Sequence, residues 1–220
     1  MYLTRFPINV ARRGARHLLV SQQRMHAAVL ASFPPDGDLP RALWRVDSGD
    51  HRTDLFIMSP SRPDLTHLVE QAGWPSLPDM TWNTADYLPF LERLEAGQRW
   101  AFRLTANPVR SVPVPGGSRG QVKAHVAVAH QQKWLLSRTD QLGFTVPNGP
   151  HGQPQVVVKD RRTARFERRH AESGRDVTVA MATFDGVLDV TDAGRLRQAL
   201  THGVGRAKSY GCGLLTLARL

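Results

Sequence analysis

The chain holds 220 residues, 41% hydrophobic and 22% charged, an ordinary balance that excludes wholesale disorder and suits one large domain or two of roughly 100 residues. No apolar run approaches the ~20 residues of a membrane-spanning helix. The opening Met1-Tyr2-Leu3-Thr4-Arg5-Phe6 lacks a signal peptide's apolar block, and the single cysteine, Cys212, forms no internal disulfide, so the expected location is the cytoplasm.

A short strand is expected over Tyr2 to Asn9, followed by an arginine-rich loop. Ser21 is placed to cap a helix from Gln22 to Phe33, with Met25, Val29 and Phe33 as its buried stripe, and Pro34-Pro35 stops it. Two strands, Ala42 to Val46 and Thr53 to Met58, flank the turn Asp47-Ser-Gly-Asp50. Asp64 caps a helix from Leu65 to Ala72, and Trp82 to Leu88 adds a strand. The polar stretch Glu92 to Gln98 reads as a boundary between a first domain, 1–92, and a second, 98–220. Trp100, Phe102, Leu104 and Ala106 alternate with Arg103 and Thr105, the pattern of a half-buried strand. After a Pro/Gly-rich loop, Pro113 to Gly120, a long helix is expected over Ala124 to Leu142, ended by Gly143. Val156 to Val158 and the alternating Val177, Val179 and Met181 make a hairpin. Thr191 or Asp192 then caps a helix through Leu200, and Leu214 to Ala218 closes as a strand. Each half is compatible with β-α-β-β-α-β order. The expected fold class is α+β with two tandem ferredoxin-like, RRM-like domains.

The excess charge is concentrated. Residues 1–97 carry 10 basic and 11 acidic side chains, whereas 98–220 carry 19 and 8. Between Lys159 and Arg175 lie Lys159, Arg161, Arg162, Arg165, Arg168, Arg169 and Arg175 against three acids. A smaller patch precedes the first acid, Asp36, and includes Arg12, Arg13 and Arg24. Two basic patches without a wide apolar helical face favour nucleic acid over membrane. HExxH, paired CxxC, GxxxxGKS/T and GxSxG are all absent, so metal, phosphate-loop and serine-hydrolase chemistry find no motif, and neither a metal nor a cofactor is expected. Two features carry chemistry. His26 stands at the rim of its helix's apolar stripe, where an imidazole can titrate near neutrality. The run Gly203-Val-Gly205-Arg206-Ala-Lys208-Ser209-Tyr210-Gly211-Cys-Gly213 offers four glycines and two cations to a phosphate.

The chain resembles the CasE family, the repeat-processing endoribonucleases of type I-E CRISPR systems within the RAMP superfamily. The likeness rests on Met1-Tyr-Leu-Thr-Arg, on Arg24-Met-His26-Ala-Ala-Val-Leu-Ala-Ser-Phe33-Pro34, and on Phe102-Arg-Leu-Thr-Ala-Asn107-Pro108. It also rests on the helix with Trp134-Leu-Leu and on the terminal Gly203 to Gly213 run with Leu-Leu-Thr-Leu after it. The resemblance implies metal-independent cleavage of CRISPR precursor RNA at the base of the repeat hairpin, giving a 2′,3′-cyclic phosphate. It also implies that the product is kept within a multi-subunit surveillance complex. His26 matches the catalytic histidine, the glycine run lies near the RNA, and the Lys159 to Arg175 region engages the hairpin groove. Members often place a tyrosine three residues before that histidine, and here Gln23 stands there.

Cleavage without metal uses the RNA's own 2′-hydroxyl and needs in-line positioning, proton transfer and charge stabilisation. His26 is the expected general acid or base, at the 2′-oxygen or at the 5′-leaving oxygen, and Lys208 the expected charge stabiliser. Candidate RNA contacts are Arg12, Arg13, Arg24, Lys159, Arg161, Arg162, Arg165, Arg168, Arg169, Gly203, Gly205, Arg206, Ser209 and Gly211. The competing reading is a non-catalytic subunit that binds hairpin RNA, which would want paired sheet-face aromatics.

Overall fold

In a computed structural model, residues 1–34, 41–113, 120–167 and 176–220 are described, without the side chains of Pro78, 165–167, 176 and 177. The elements are β1 (Tyr2–Ile8), α1 (Arg13–Leu19), α2 (Gln22–Leu30), β2 (Leu43–Ser48), β3 (Thr53–Ser59), α3 (Thr66–Ala72), β4 (Asn83–Asp86), α4 (Leu88–Glu92) and β5 (Arg99–Ala106). They continue with β6 (Val109–Val112), β7 (Gln121–Ala124), α5 (Val128–Leu136), β8 (Phe144–Thr145), β9 (Val156–Glu167), β10 (Asp176–Val190), α6 (Ala193–His202) and β11 (Leu215–Ala218). The protein is α+β with several antiparallel sheets. No helix among the described residues is long and apolar enough to cross a membrane.

The first sheet runs β2-β3-β1-β4. Its period-2 alternation assigns two faces. Phe6, Ile8, Trp44, Leu55 and Ile57 pack with Met25, Val29, Leu65 and Leu68 of the helical layer. Leu43 and Met58, one residue out of phase, join Phe102, Leu104, Phe184 and Leu215 of the second half in a single core. That core also takes in Tyr87, Leu91 and Leu94, so the segment around residue 92 is packed as well as polar. The second sheet runs β11-β5-β10-β8, with β9 on β10. β10 is 15 residues long and pairs with β5 only from Ala182 onward. Its first part pairs with β9 alone, so β9 and β10 form an arm reaching about 20 Å past β5. β6 and β7 form a separate two-stranded sheet.

Several expected elements take a different form. The stretch after β1 is not a loop: Arg13–Leu19 is helical because Ala15 and Leu18 bury at i, i+3, and Arg16 donates back to the carbonyls of Val10 and Ala11. The helix capped by Ser21, whose hydroxyl accepts from the Arg24 N–H, ends at Leu30, three residues early. The long helix over Ala124 to Leu142 divides: Gln121–Ala124 pairs with β6, and the helix covers only Val128–Leu136. The Trp82 to Leu88 strand narrows to Asn83–Asp86, with a short helix after it. The Asp192 cap is observed, its carboxylate accepting from the Arg195 N–H. The face of β5 that carries Arg103 and Thr105 is only partly open, because the first half lies over it: Thr105 is 3% exposed, whereas the Arg103 side chain keeps 39%.

One side chain clamps the halves. Arg45 on β2, 2% exposed, donates to the carbonyls of Arg103 and Leu214 at 3.1 and 2.9 Å and to the Thr216 hydroxyl at 2.9 Å. Asp47 balances it at 2.6 Å. Arg103 reaches Asp47 at 3.4 Å and bonds Asp185 through two contacts of 2.6 Å. Burial alone would raise the Asp185 carboxyl; the Arg103 bonds and nearby Lys159 hold it below the ordinary range.

Candidate active site

β2 is an edge strand, and an uncovered edge invites pairing. The segment after α6 covers it. The 3-10 turn Lys208–Tyr210 lies against both β2 and α2. Two glycines show why this chain can approach so closely. Gly211 has φ +78°, and a Cβ there would stand 2.8 Å from the Trp44 ring. Gly205, also at φ +78°, would place a Cβ 3.3 Å from Trp134. The glycines thus serve tight packing against β2 and α5. Gly205, Arg206 and Ser209 are exposed, Gly203 is half-buried, and Gly211 is buried.

His26 on α2 is half-buried beside this loop. The Trp44 indole N–H donates to His26 Nδ1 at 3.3 Å. Indole nitrogen only donates, so Nδ1 accepts and the neutral ring carries its hydrogen on Nε2. Burial lowers the His26 pKa from its ordinary value, which keeps the ring neutral near pH 7. Trp44 therefore touches both halves of the site: its ring backs Gly211 and its nitrogen holds His26. In the sequence Trp44 is only one position of the strand expected over Ala42 to Val46. Its alternation onto the helical face, opposite α2, was the available signal.

Lys208 is half-buried at the same turn. Its ammonium donates to the His202 carbonyl at 2.6 Å, at the C-terminal end of α6, where cations are favoured. Burial, then the charge of Arg41, pushes its pKa down. Cys212 is fully buried with Val179 and Met181, and burial pushes its thiol up to about 12, so it is a packing residue. Ala207, Tyr210 and Ala164 pack on the same cluster, which places the root of the β9–β10 arm next to the glycine loop.

The basic cluster lies along β9 itself. Lys159 pairs with Asp185 at 3.3 Å, while Arg161 and Arg162 are exposed. Asp160, at φ 45°, stands where the register slips, an extra residue in β9 that re-aims the side chains around it. Arg165 stands opposite Thr178. Arg168, Arg169 and Arg175 lie outside the described residues. The first patch is spent differently. Arg12 donates to the Glu70 carbonyl at 2.5 Å, and Arg24 meets His17 at 3.3 Å; Arg13 is exposed. The described geometry thus joins His26, the glycine loop and the root of the basic arm. Arg12 and Arg13 stand at the start of α1, and Arg24, on the same helix as His26, turns back to His17.

The chain matches the family described as CRISPR associated protein over residues 1–219. It is 29% identical over 223 residues to the CRISPR-associated endoribonuclease Cse3 of Thermus thermophilus, covering 99% of this chain and 100% of that protein. It is 32% identical over 136 residues to the CRISPR system Cascade subunit CasE of Escherichia coli, covering 58% of this chain and 62% of that one. Among solved structures it is similar to Thermus thermophilus Cse3 bound to an RNA representing a pre-cleavage complex. There the TM-score is 0.75 at 28% identity, with 99% of this chain and 98% of that one covered.

Proposed function

The chain belongs to the Cse3/CasE family of CRISPR-associated proteins, and from that premise we propose that it is a metal-independent endoribonuclease for CRISPR precursor RNA. It cleaves at the base of the repeat hairpin, leaves a 2′,3′-cyclic phosphate and a 5′-hydroxyl, and keeps the product as a subunit of a type I-E surveillance complex. The observation that carries this reading is the half-buried imidazole of His26, held by Trp44 beside the glycine loop at the root of a basic arm. Two ferredoxin-like halves, 1–92 and 98–220, belong to the proposal. They are supported by a similar strand order: the first sheet runs β2-β3-β1-β4 and, leaving aside β8 on β10 and the separate β6-β7 pair, the second runs β9-β10-β5-β11.

The chemistry follows from the parts. The β9 arginines hold the hairpin backbone; the deep groove of an A-form stem is read by shape and phosphate contact. The strand at the stem base then runs over the glycine loop, where exposed backbone and Arg206 meet phosphate. With Nδ1 held by Trp44, the neutral ring offers a donor from Nε2, which can bond a phosphate oxygen as negative charge builds. To take the 2′-hydroxyl proton at Nε2, the ring must carry its hydrogen on Nδ1, and the Trp44 bond must break. Lys208 stabilises the developing charge once its ammonium leaves the His202 carbonyl. Gln23 cannot act as a phenolic acid or base, so proton transfer falls on His26.

The test mixes purified protein with a repeat RNA hairpin in chelator. Cleavage is expected, and none when the scissile 2′-hydroxyl is replaced by hydrogen. His26→Ala is expected to cut the rate ~10²–10⁴-fold and leave binding intact. Tight binding with no cleavage by the wild type would identify a hairpin-holding subunit instead.

A further inference from the structure

Between β6 and α5 lies a cavity of about 420 Å³ that the cleavage site does not use. Arg110, His125, His130, Lys133 and Arg138 line it, with Trp134 as its floor, and no carboxylate is among the lining residues. Among the described residues, none of Arg110, Lys133 and Arg138 has an ion-pair partner. The Arg138 guanidinium lies 4.5 Å over the Trp134 ring and donates to the Trp134 carbonyl at 2.7 Å, so its plane is fixed. His125 and His130 stand edge to face at 6.0 Å. Gathering five basic side chains without an acid costs repulsion: burial first, then Arg110, His130 and Arg138, push the His125 pKa down. An anion removes that cost.

The cavity borders the proposed RNA path on two sides. The edge of the Trp134 ring backs Gly205 of the glycine loop. The Val126 carbonyl, one residue past His125, accepts from Arg161 on β9 at 3.4 Å. Positive surface therefore continues from the arm and the loop across the start of α5.

We propose that this cavity is a second RNA subsite, which takes backbone phosphate of the single strand flanking the repeat hairpin. It rests on the reading that the protein binds that hairpin. Trp134 is 5% exposed and already covered by Arg138, so the subsite holds phosphate and does not stack bases. Such a grip reads no sequence. It lengthens the footprint past the cleavage point and holds the strand in register.

The experiment measures affinity for three RNAs carrying a 2′-deoxy scissile residue: the bare hairpin, the hairpin with a 5′ single strand, and the hairpin with a 3′ single strand. Arg110→Gln with Lys133→Gln, both at exposed positions, removes two charges and leaves the Arg138–Trp134 stack. One flank is expected to tighten wild-type binding about tenfold, and the double variant to lose that gain. The variant's salt slope on the flanked RNA is expected to fall by about 1.4, two single-strand phosphate contacts, while the bare hairpin is bound as before. Equal losses on bare and flanked RNA, or no loss on either, would overturn the subsite. Failure of the wild type to bind the bare hairpin would instead overturn the functional reading beneath it.

Discussion

Arg45 and the β9 arginines share a side chain and nothing else. Arg45 is almost fully buried; its donors go to two carbonyls and a hydroxyl of the second half and to Asp47. Arg161 and Arg162 are exposed on the arm; Arg161, beside the bulge at Asp160, reaches the Val126 carbonyl at 3.4 Å, and Arg162 pairs in register opposite Met181. One kind of arginine joins the molecule together, and the other is available to a ligand. The first patch falls between: Arg12 and Arg24 are spent on nearby groups, so the local count of positive charge overstates what RNA can use. Free donors matter more than net charge when the ligand is a polyanion.

The largest expected effect tests the buried side of this comparison. Arg45→Ala strips Asp47 of its principal partner and leaves the Leu214 carbonyl, just after the glycine loop, without a donor. A loss of about 3–5 kcal/mol is expected in chemical denaturation. Cleavage should fall with it, because Leu214 anchors the loop's exit. Stability within about 0.5 kcal/mol of wild type would mean that the clamp is a bystander.

Neutralising Arg161, Arg162 and Arg165 tests the other side. Folding stability should stay within about 0.5 kcal/mol, while hairpin affinity falls roughly 100-fold at 150 mM salt and the salt dependence flattens. The contrasting pair Arg12→Gln and Arg24→Gln should cost less than about threefold, because those guanidiniums already serve carbonyl and imidazole partners. If the two sets weaken binding equally, the first patch is as much part of the interface as the arm.

The sequence made some of this legible. The Met25, Val29 and Phe33 stripe, the Ser21 and Asp192 caps and the burial of Val179 and Met181 in β10 are local signals, and the folded chain obeys them. Errors arose where tertiary contact overrode local pattern. Arg13–Leu19 reads as a charged loop until α3 is seen packed on it, so closely that a Cβ at Gly14 would collide with the Gln71 carbonyl. Thr105 looks solvent-facing because the covering surface is supplied by the other half of the chain. The candidate site was half legible. His26 and the glycine run stood out by residue type, yet their meeting depends on Trp44, 18 positions further on. Nor did the glycines advertise that two aromatic rings, rather than phosphate alone, require the missing Cβ.

The smallest expected effect bears on the tie between loop and imidazole. Trp44→Phe keeps an aromatic body against Gly211 but removes the N–H that donates to His26 Nδ1. That bond exists only while Nδ1 is unprotonated, so it favours the neutral ring, in the same direction as burial. Removing it must therefore raise the His26 pKa, toward the ordinary value from below. The pH at which cleavage reports His26 should move up with it, whether the ring acts as base on the acid limb or as acid on the alkaline limb. An NMR titration of the imidazole reads the same change without RNA. A midpoint that stays in place or moves down would show that the indole does not hold the ring, and Trp44 would then belong with the core of β2 rather than with the site.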